Sequence, residues 1–161
     1  MSDHPGATPT TDTANAETVR AFLAALERFD IEVAGELLDP DVVYENVSLP
    51  AAHGRAATLR LLRSMPRALS GFEAQTHRMA ATGPVVLTER TDVLVVGRVR
   101  VAFWVCGTFE VHDGRITLWR DYFDWAATTG ALVSGVTRAL GSLLRRGARR
   151  RDQRPAGGGA A

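Results

Sequence analysis

Apolar residues recur with the period of an α-helix in the first part of the chain and with the period of a β-strand in the second part. From Val19 to Phe29 they follow i, i+3, i+4 and i+7 spacing, which predicts an amphipathic helix with Asn15 or Thr13 as its N-cap. From about residue 72 onward, apolar and polar positions alternate, as they do in half-buried strands. The pattern therefore predicts helices first and a meander of strands afterwards.

The same two periods, and the residues that interrupt them, predict the other elements. Short helices are predicted over 31–38 and 56–65, strands over 42–48, 72–80, 85–96, 99–111 and 116–125, and a closing helix over 128–146. The turn His112-Asp113-Gly114 separates the last two strands as a hairpin. This order favours an α+β fold in which a curved, antiparallel-rich mixed sheet packs on N-terminal helices, with a C-terminal helix.

Length and charge add a domain organisation and exclude one class of partner. We expect a disordered tail over 1–14, a single domain over 15–146 and a disordered Arg/Gly-rich tail over 147–161. The net charge is +1, but six of the 19 basic residues, all arginine, lie within 145–154, which leaves 13 arginines against 17 acidic residues elsewhere. The body of the chain is thus acidic, which argues against nucleic-acid binding.

The cysteine count and the hydropathy of the chain indicate the cellular compartment in which we expect the protein. The single Cys106 excludes an internal disulfide and a cysteine metal cluster. The first 15 residues lack the basic start and apolar run of a secretory signal, and no stretch approaches the roughly 18 apolar residues of a membrane span. We expect a cytoplasmic protein.

Charged residues interrupt two of the predicted strands, and strand parity decides which of them can meet. Arg90 and Asp92 share one face, about 7 Å apart, because residues i and i+2 of a strand point the same way. Asp121 shares a face with the apolar residues of the last strand, and Tyr44 and Asn46 share a face of the first. Two acids around one arginine carry a net charge of −1, so a buried site favours one acid that keeps its proton.

Structural roles are the alternative for each of these residues. An Arg90–Asp92 pair is common as a salt bridge, Asp121 could be a charge on an edge strand, and Tyr44 with Asn46 could be a hydrogen-bonded pair at a strand end. The tryptophans are expected in the core, and Asp124 is expected to cap the closing helix.

Three motifs carry a resemblance to a known family: Val43-Tyr44-Glu45-Asn46, the run from Thr88 to Leu94, and the run from Gly114 to Asp124. Over roughly residues 15–125 the chain resembles the limonene-1,2-epoxide hydrolase family, whose cone-shaped fold is shared with nuclear transport factor 2 and ketosteroid isomerase. The run from Phe103 to Gly107 is similar to bacterial members that act on bulky lipophilic epoxides.

The resemblance implies one-step hydrolysis of an epoxide to a diol, without a covalent enzyme ester. It implies that Asp121 is the general base on water, that Asp92 is the general acid on the epoxide oxygen and that Arg90 bridges the two. Tyr44 and Asn46 would orient the water. No metal and no organic cofactor would be needed.

An apolar pocket is also implied by family position and strand parity, although each of its residues could equally belong to the core. Its lining would be Leu23, Leu26, Leu94, Phe103, Val105 and Phe123. The resemblance further implies a homodimer formed through the sheet.

Other functions remain open at this point. The same fold hosts isomerases and polyketide cyclases that use an acid–base pair on a carbonyl substrate, and modules that bind lipophiles without catalysis. The arginine-rich end of the closing helix could also contact an anionic membrane surface.

Overall fold

A computed structural model of the chain describes residues 10–47 and 49–123. Outside the described residues lie the predicted closing helix, Asp124, residues 1–9 of the predicted N-terminal tail and the whole predicted C-terminal tail. The elements, in chain order, are α1 (Thr11–Glu27), α2 (Ile31–Glu36), β1 (Leu38–Asn46), β2 (Ala52–His53), α3 (Arg55–Leu62), α4 (Met65–Ala68), β3 (Gly71–Thr82), β4 (Val85–Val96), β5 (Val99–His112) and β6 (Arg115–Phe123).

Helix α1 begins earlier than the sequence predicts. Its N-cap is Thr10, whose extended backbone lets its hydroxyl accept a 3.3 Å hydrogen bond from the N–H of Thr13. The predicted caps Asn15 and Thr13 are therefore wrong, and residues 11–14 belong to the helix instead of the predicted tail. Asn15 is buried, and its Nδ2 donates to the carbonyl of Gly83 at 2.9 Å.

The segment after α1 also differs from the prediction. Asp30 caps α2 and accepts a hydrogen bond from the N–H of Val33 at 3.3 Å. The helix ends at Glu36, and β1 already begins at Leu38, which pairs with Ile116 of β6. This pairing comes from a distant part of the chain, so it extends the strand into a region where the local pattern indicates a helix.

The third predicted helix is divided in the structure. Residues 56–65 were predicted as one helix, whereas α3 ends at Leu62 and α4 begins at Met65, with Pro66 in its first turn. The two-residue strand β2 has no pattern in the sequence, and its His53 is exposed and pairs with Val43 of β1.

Within the described residues, the sheet has six strands in the order β2-β1-β6-β5-β4-β3. Strands β1 and β6 are parallel, and the other neighbours are antiparallel, which confirms an α+β fold with a mixed, antiparallel-rich sheet. The long β3–β4–β5–β6 meander follows the predicted order, and β4 has the predicted bounds. Because β6 lies between β1 and β5, Asp121 is not on an edge strand.

Helix α1 packs its apolar side on the inner face of this sheet. Phe22, which is fully buried, meets Trp119 edge-on at a ring distance of 5.0 Å and Phe109 at 6.4 Å. These rings form the core at one end of the inner face. The polar residues of β4 and β6 lie on the same face, so the fold buries them behind α1.

The outer face of the sheet carries charged pairs and exposed apolar residues. Trp104 of β5 points outward and is 52% exposed, so the expectation that it belongs to the core is wrong. In the described part of the chain, no helix is long and apolar enough to span a membrane.

Candidate active site

Strand β4 directs a row of polar side chains into the interior. The even positions Val86, Thr88, Arg90 and Asp92 are buried, with exposures of 0, 2, 1 and 6%. This alternation is the strand parity that the sequence indicates. Charge at the centre of the inner face costs free energy unless it is paired, so the partners of Arg90 decide what this row can do.

Arg90 binds two aspartates at once. Its Nε donates to Oδ1 of Asp92 at 2.9 Å and its Nη2 to Oδ2 at 3.3 Å, and Nη2 also lies 2.7 Å from Oδ2 of Asp121. The side chains of Asp92 and Asp121 are only 8% and 7% exposed. The structure therefore brings the three predicted residues into one buried trio, in which one cation faces two acids.

Tyr44 and Asn46 lie beside the trio because β1 and β6 are parallel. In this register Tyr44 is next to Trp119, and Asn46 is next to Asp121. The Nδ2 of Asn46 donates to the Tyr44 hydroxyl oxygen at 2.7 Å, and the Tyr44 ring stacks on Trp119 at 3.9 Å. The Tyr44 O–H proton is thus free to be donated to another group.

One oxygen of Asp121 remains free to accept a hydrogen bond. Its Oδ1 is buried and has no hydrogen-bond partner among the described residues, and the same holds for the indole Nε1 of Trp119. Trp119 nevertheless lowers the pKa of Asp121. Asp121 therefore offers an acceptor oxygen on the inner face of the sheet.

Burial changes the pKa of every titratable group in this cluster. Burial raises the pKa of Asp92 to about 6 against the opposing effect of Arg90, with Asp121 and Glu27 adding to the rise. Burial also raises the pKa of Asp121, which Arg90 and Trp119 oppose. Burial and the nearby Asp121 raise the pKa of Tyr44, so its hydroxyl stays neutral.

These pKa shifts make it possible for Asp92 and Asp121 to share one proton. Burial lowers the pKa of Arg90, but Asp121 and Asp92 more than offset it, so the guanidinium stays charged. Two acids with raised pKa values around a fixed cation can hold one proton between them near neutral pH. Such a pair can donate a proton and accept one in the same event.

These polar groups form one wall of a cavity of about 240 Å³. The structure places all six residues of the sequence-predicted apolar pocket on its lining, together with Tyr44, Asn46, Arg90, Asp92 and Asp121. Sequence reasoning missed four further lining residues: Leu62, Met65, Phe72 and Trp119. Leu62 and Met65 could have been found from the inward side of the third predicted helix.

Other polar residues of the same motifs point away from the cavity. Arg120 pairs with Glu45, Tyr122 is 41% exposed, and Glu89 pairs with Arg78 on the outer face. Among residues 10–47 and 49–123, no three His, Cys, Asp or Glu side chains are grouped so that they could hold a metal ion.

The fold and this site match one family. The family model described as the limonene-1,2-epoxide hydrolase catalytic domain matches residues 13–133. An epoxide hydrolase of Mycobacterium tuberculosis, EphG, is 52% identical over 126 residues, which cover 78% of this chain and 81% of the relative. The chain therefore belongs to the limonene-1,2-epoxide hydrolase family, which makes it an enzyme of the epoxide hydrolase class.

Solved structures agree with this assignment. The structure of a limonene-epoxide-hydrolase-like epoxide hydrolase from M. tuberculosis matches with a TM-score of 0.77 and 46% identity, over 81% of this chain and 98% of the other. Bal32a, from a soil-derived mobile gene cassette, matches with a TM-score of 0.67 and 22% identity, over 76% and 98% of the two chains. The second likeness shows the fold alone.

Proposed function

We propose that this enzyme adds water to a lipophilic epoxide in one step and releases a vicinal diol. Asp121 acts as general base on a water molecule that Tyr44 and Asn46 orient. Asp92, in its protonated form, acts as general acid on the epoxide oxygen. Arg90 holds the two carboxyl groups at a fixed separation.

The proton balance of this step closes on the two aspartates. The water oxygen bonds to an epoxide carbon while its proton passes to Asp121. The carbon–oxygen bond of the ring breaks, and its electron pair takes the proton of Asp92. Asp121 then carries a proton and Asp92 a charge, so a single proton transfer between them restores the starting state.

The observation that carries this proposal is the contact of one arginine with two buried acids. Protonation of the leaving oxygen matters because an alkoxide is a poor leaving group, and an acid or base contributes about 10²- to 10⁴-fold. Negative neighbours favour the proton on Asp92, whose pKa is raised further by Asp121 and Glu27. Oδ1 of Asp121 has no hydrogen-bond partner among the described residues, so it is the oxygen that would accept a hydrogen bond from the attacking water.

The lining of the cavity supports a lipophilic substrate. Apart from the polar wall, it consists of aliphatic and aromatic side chains, which bind apolar surface without hydrogen bonds. A second cavity of about 340 Å³ adjoins it, and the two share Tyr44, Asn46, Leu62 and Met65 in their walls. An epoxide with an extended apolar substituent could occupy both.

The test is diol formation from a size-graded panel of epoxides by the wild type, Asp92→Asn and Asp121→Asn. Each variant should lose about 10²- to 10⁴-fold in kcat, because it lacks one proton-transfer group. Asp41→Asn is the matched control, since Asp41 is exposed at the start of β1. Wild-type rates in either active-site variant would disprove the assigned roles.

An isomerase that acts on a carbonyl substrate is the alternative that the buried acid pair also permits. Such an enzyme needs a base and a donor, but the bridge that Arg90 makes between the acids has no evident role in it. Turnover of a ketosteroid with no diol from any epoxide of the panel would favour this alternative. Binding of lipophiles with no turnover at all would favour a non-catalytic module.

The outer face of the sheet supports a homodimer. Leu87, Trp104 and Tyr122 lie on this face of β4, β5 and β6 and are 48, 52 and 41% exposed. A contiguous exposed apolar patch is typical of an interface, and Trp104 and Tyr122 lie on the neighbouring strands β5 and β6 of this face. Light scattering should give a dimer for the wild type and a monomer for Trp104→Glu; a monomeric wild type would contradict the proposal.

A further inference from the structure

A glycine lies between two polar residues of the site. In the sheet register, Thr88 of β4 is opposite Gly107 of β5, and Gly107 is opposite Asp121 of β6. A Cβ at position 107 would lie 2.3 Å from Nη1 of Arg90 and 3.0 Å from Oδ1 of Asp121. The Arg90 guanidinium therefore occupies the space that any other side chain at position 107 would fill.

This gap explains how Arg90 can reach Asp121 at all. The two residues lie on β4 and β6, which are separated by two strand spacings, or about 9 to 10 Å. Arg90 is opposite Val105 of β5, so its side chain must pass over the neighbouring inward position of β5, which is Gly107. The missing side chain of Gly107 leaves that path open.

Thr88 holds the guanidinium inside the gap. Nη1 of Arg90 donates to the Thr88 hydroxyl at 3.1 Å, and that hydroxyl donates to the carbonyl of Gly107 at 3.4 Å. The two aspartates bind the other edge of the guanidinium through Nε and Nη2. Thr88 is therefore a third, uncharged attachment point, 2% exposed and opposite the acids.

We propose that Thr88 is a positioning residue that holds the Arg90 guanidinium over Gly107 and so sets how closely it contacts Asp121. The inference rests on the proposed function, because it concerns the geometry of the same acid pair. Asp92 binds Arg90 through two nitrogens, whereas Asp121 has one close contact. Without the Thr88 hydroxyl, the guanidinium stays with Asp92 and withdraws from Asp121.

The first test is Thr88→Val, which keeps the branched shape and removes the hydroxyl. With the best substrate of the epoxide panel, kcat should fall roughly 10- to 100-fold, because a misplacement of about 1 Å in an active site can cost about 10²-fold in rate. KM should be unchanged. The acid limb of the kcat–pH profile should move to higher pH, because Arg90 lowers the pKa of Asp121. Thr88→Ser should restore most of the rate.

Thr91→Val is the matched control for this substitution. Thr91 lies on the same strand but on the outer face, where its hydroxyl is 2.8 Å from His77, so kcat and its pH profile should stay at wild-type values. A wild-type kcat and pH profile in Thr88→Val would overturn the inference. If Thr88→Val does not fold, Thr88→Ala and Thr88→Ser are compared, and equal kcat values overturn it.

Gly107→Ala tests the gap itself. The added methyl group displaces the guanidinium, and kcat should fall by about 100-fold or more, as expected for a misplaced catalytic group. Gly71→Ala on β3 is the control, because its Cβ would meet only the side chain of Val95, at 3.3 Å. Wild-type activity in Gly107→Ala would contradict the claim that the Arg90 guanidinium needs the space left by Gly107.

Asp121→Asn, measured in the same assay, distinguishes a failure of the proposed function from a failure of the inference about Thr88. An active Asp121→Asn enzyme means that the proposed function has failed. An inactive Asp121→Asn enzyme beside a wild-type-like Thr88→Val enzyme means that the inference about Thr88 alone has failed.

Discussion

Two arginine–carboxylate clusters lie on opposite faces of β4, and burial gives them different chemistry. On the inner face, Arg90 is 1% exposed and meets Asp92 and Asp121, at 8 and 7% exposure. On the outer face, Arg78 is 79% exposed and meets Glu89, at 34% exposure. Glu89 and Arg90 are consecutive residues, so strand parity alone decides which cluster each belongs to.

The pKa values of the carboxyl groups in the two clusters are shifted in opposite directions. The hydrogen bond from Arg78 lowers the pKa of Glu89, whereas burial raises the pKa of Asp92 to about 6 although Arg90 binds it through two nitrogens. An arginine beside a carboxylate is therefore not enough to predict its protonation state. The inner cluster can exchange a proton near neutral pH, and the outer cluster stays fully ionised.

Substitution of the arginine should produce the largest difference between the two clusters in stability and activity. Arg90→Gln leaves two buried acids without their cation, which should lower the free energy of unfolding by about 3 kcal/mol or more and kcat by at least about 100-fold. Arg78→Gln removes an exposed, screened partner and should change neither measurably. Urea unfolding and the diol assay check both variants; equal losses would contradict the comparison.

The pH dependence of stability should show the next largest difference. The pKa of Asp92 is about 6 in the folded protein and about 3.9 in an unfolded chain. Its contribution to stability is therefore full below about pH 4 and is lost as the pH rises through 6, by about 2 to 3 kcal/mol.

Asp92→Asn should lack this loss, so its stability relative to the wild type should increase between pH 4 and 7. The difference in Tm between the two proteins, measured across this range, checks the prediction. Glu89→Gln is the control and should show no such gain. A constant difference in Tm for Asp92→Asn would contradict a raised pKa.

The pH dependence of activity is the smallest of these effects. The proposed reaction needs a proton on Asp92, so kcat/KM should decline above an apparent pKa of about 6, by up to about tenfold per pH unit. Tyr44 should add no limb near neutral pH, because burial keeps its hydroxyl protonated. Glu89→Gln should leave the profile unchanged. A rate that rises to a plateau above pH 8 would contradict the role of Asp92 as an acid.

The meander and its inward residues could be predicted because they follow local rules. A period of two, ended by turn residues, predicts β4 with its observed bounds, and parity places Arg90 and Asp92 on one face. The hairpin turn was also predictable, since Asp113 and Gly114 both have positive φ values of 50° and 73°. These features depend on neighbouring residues alone.

The features that could not be predicted depend on distant partners. Strand β1 begins at Leu38 because β6 pairs with it, and no local signal shows this. The wrong expectation for Trp104 has another source: it rested on residue type alone, whereas the strand parity that turns Phe103 and Val105 inward turns Trp104 outward. Gly107 matters because it has no Cβ, which leaves room for the Arg90 guanidinium. This role depends on the position of Arg90 on the neighbouring strand and cannot be read from the sequence around Gly107.

The central claim is that Asp121 activates water and does not itself bond to the substrate. The most direct test is a single turnover of an epoxide in ¹⁸O water with enzyme in excess, followed by mass spectrometry of the diol and of the peptides that contain Asp92 and Asp121. The account predicts one ¹⁸O atom in the diol and none in either aspartate. Label in Asp121 or Asp92, with an unlabelled diol from the first turnover, would contradict it.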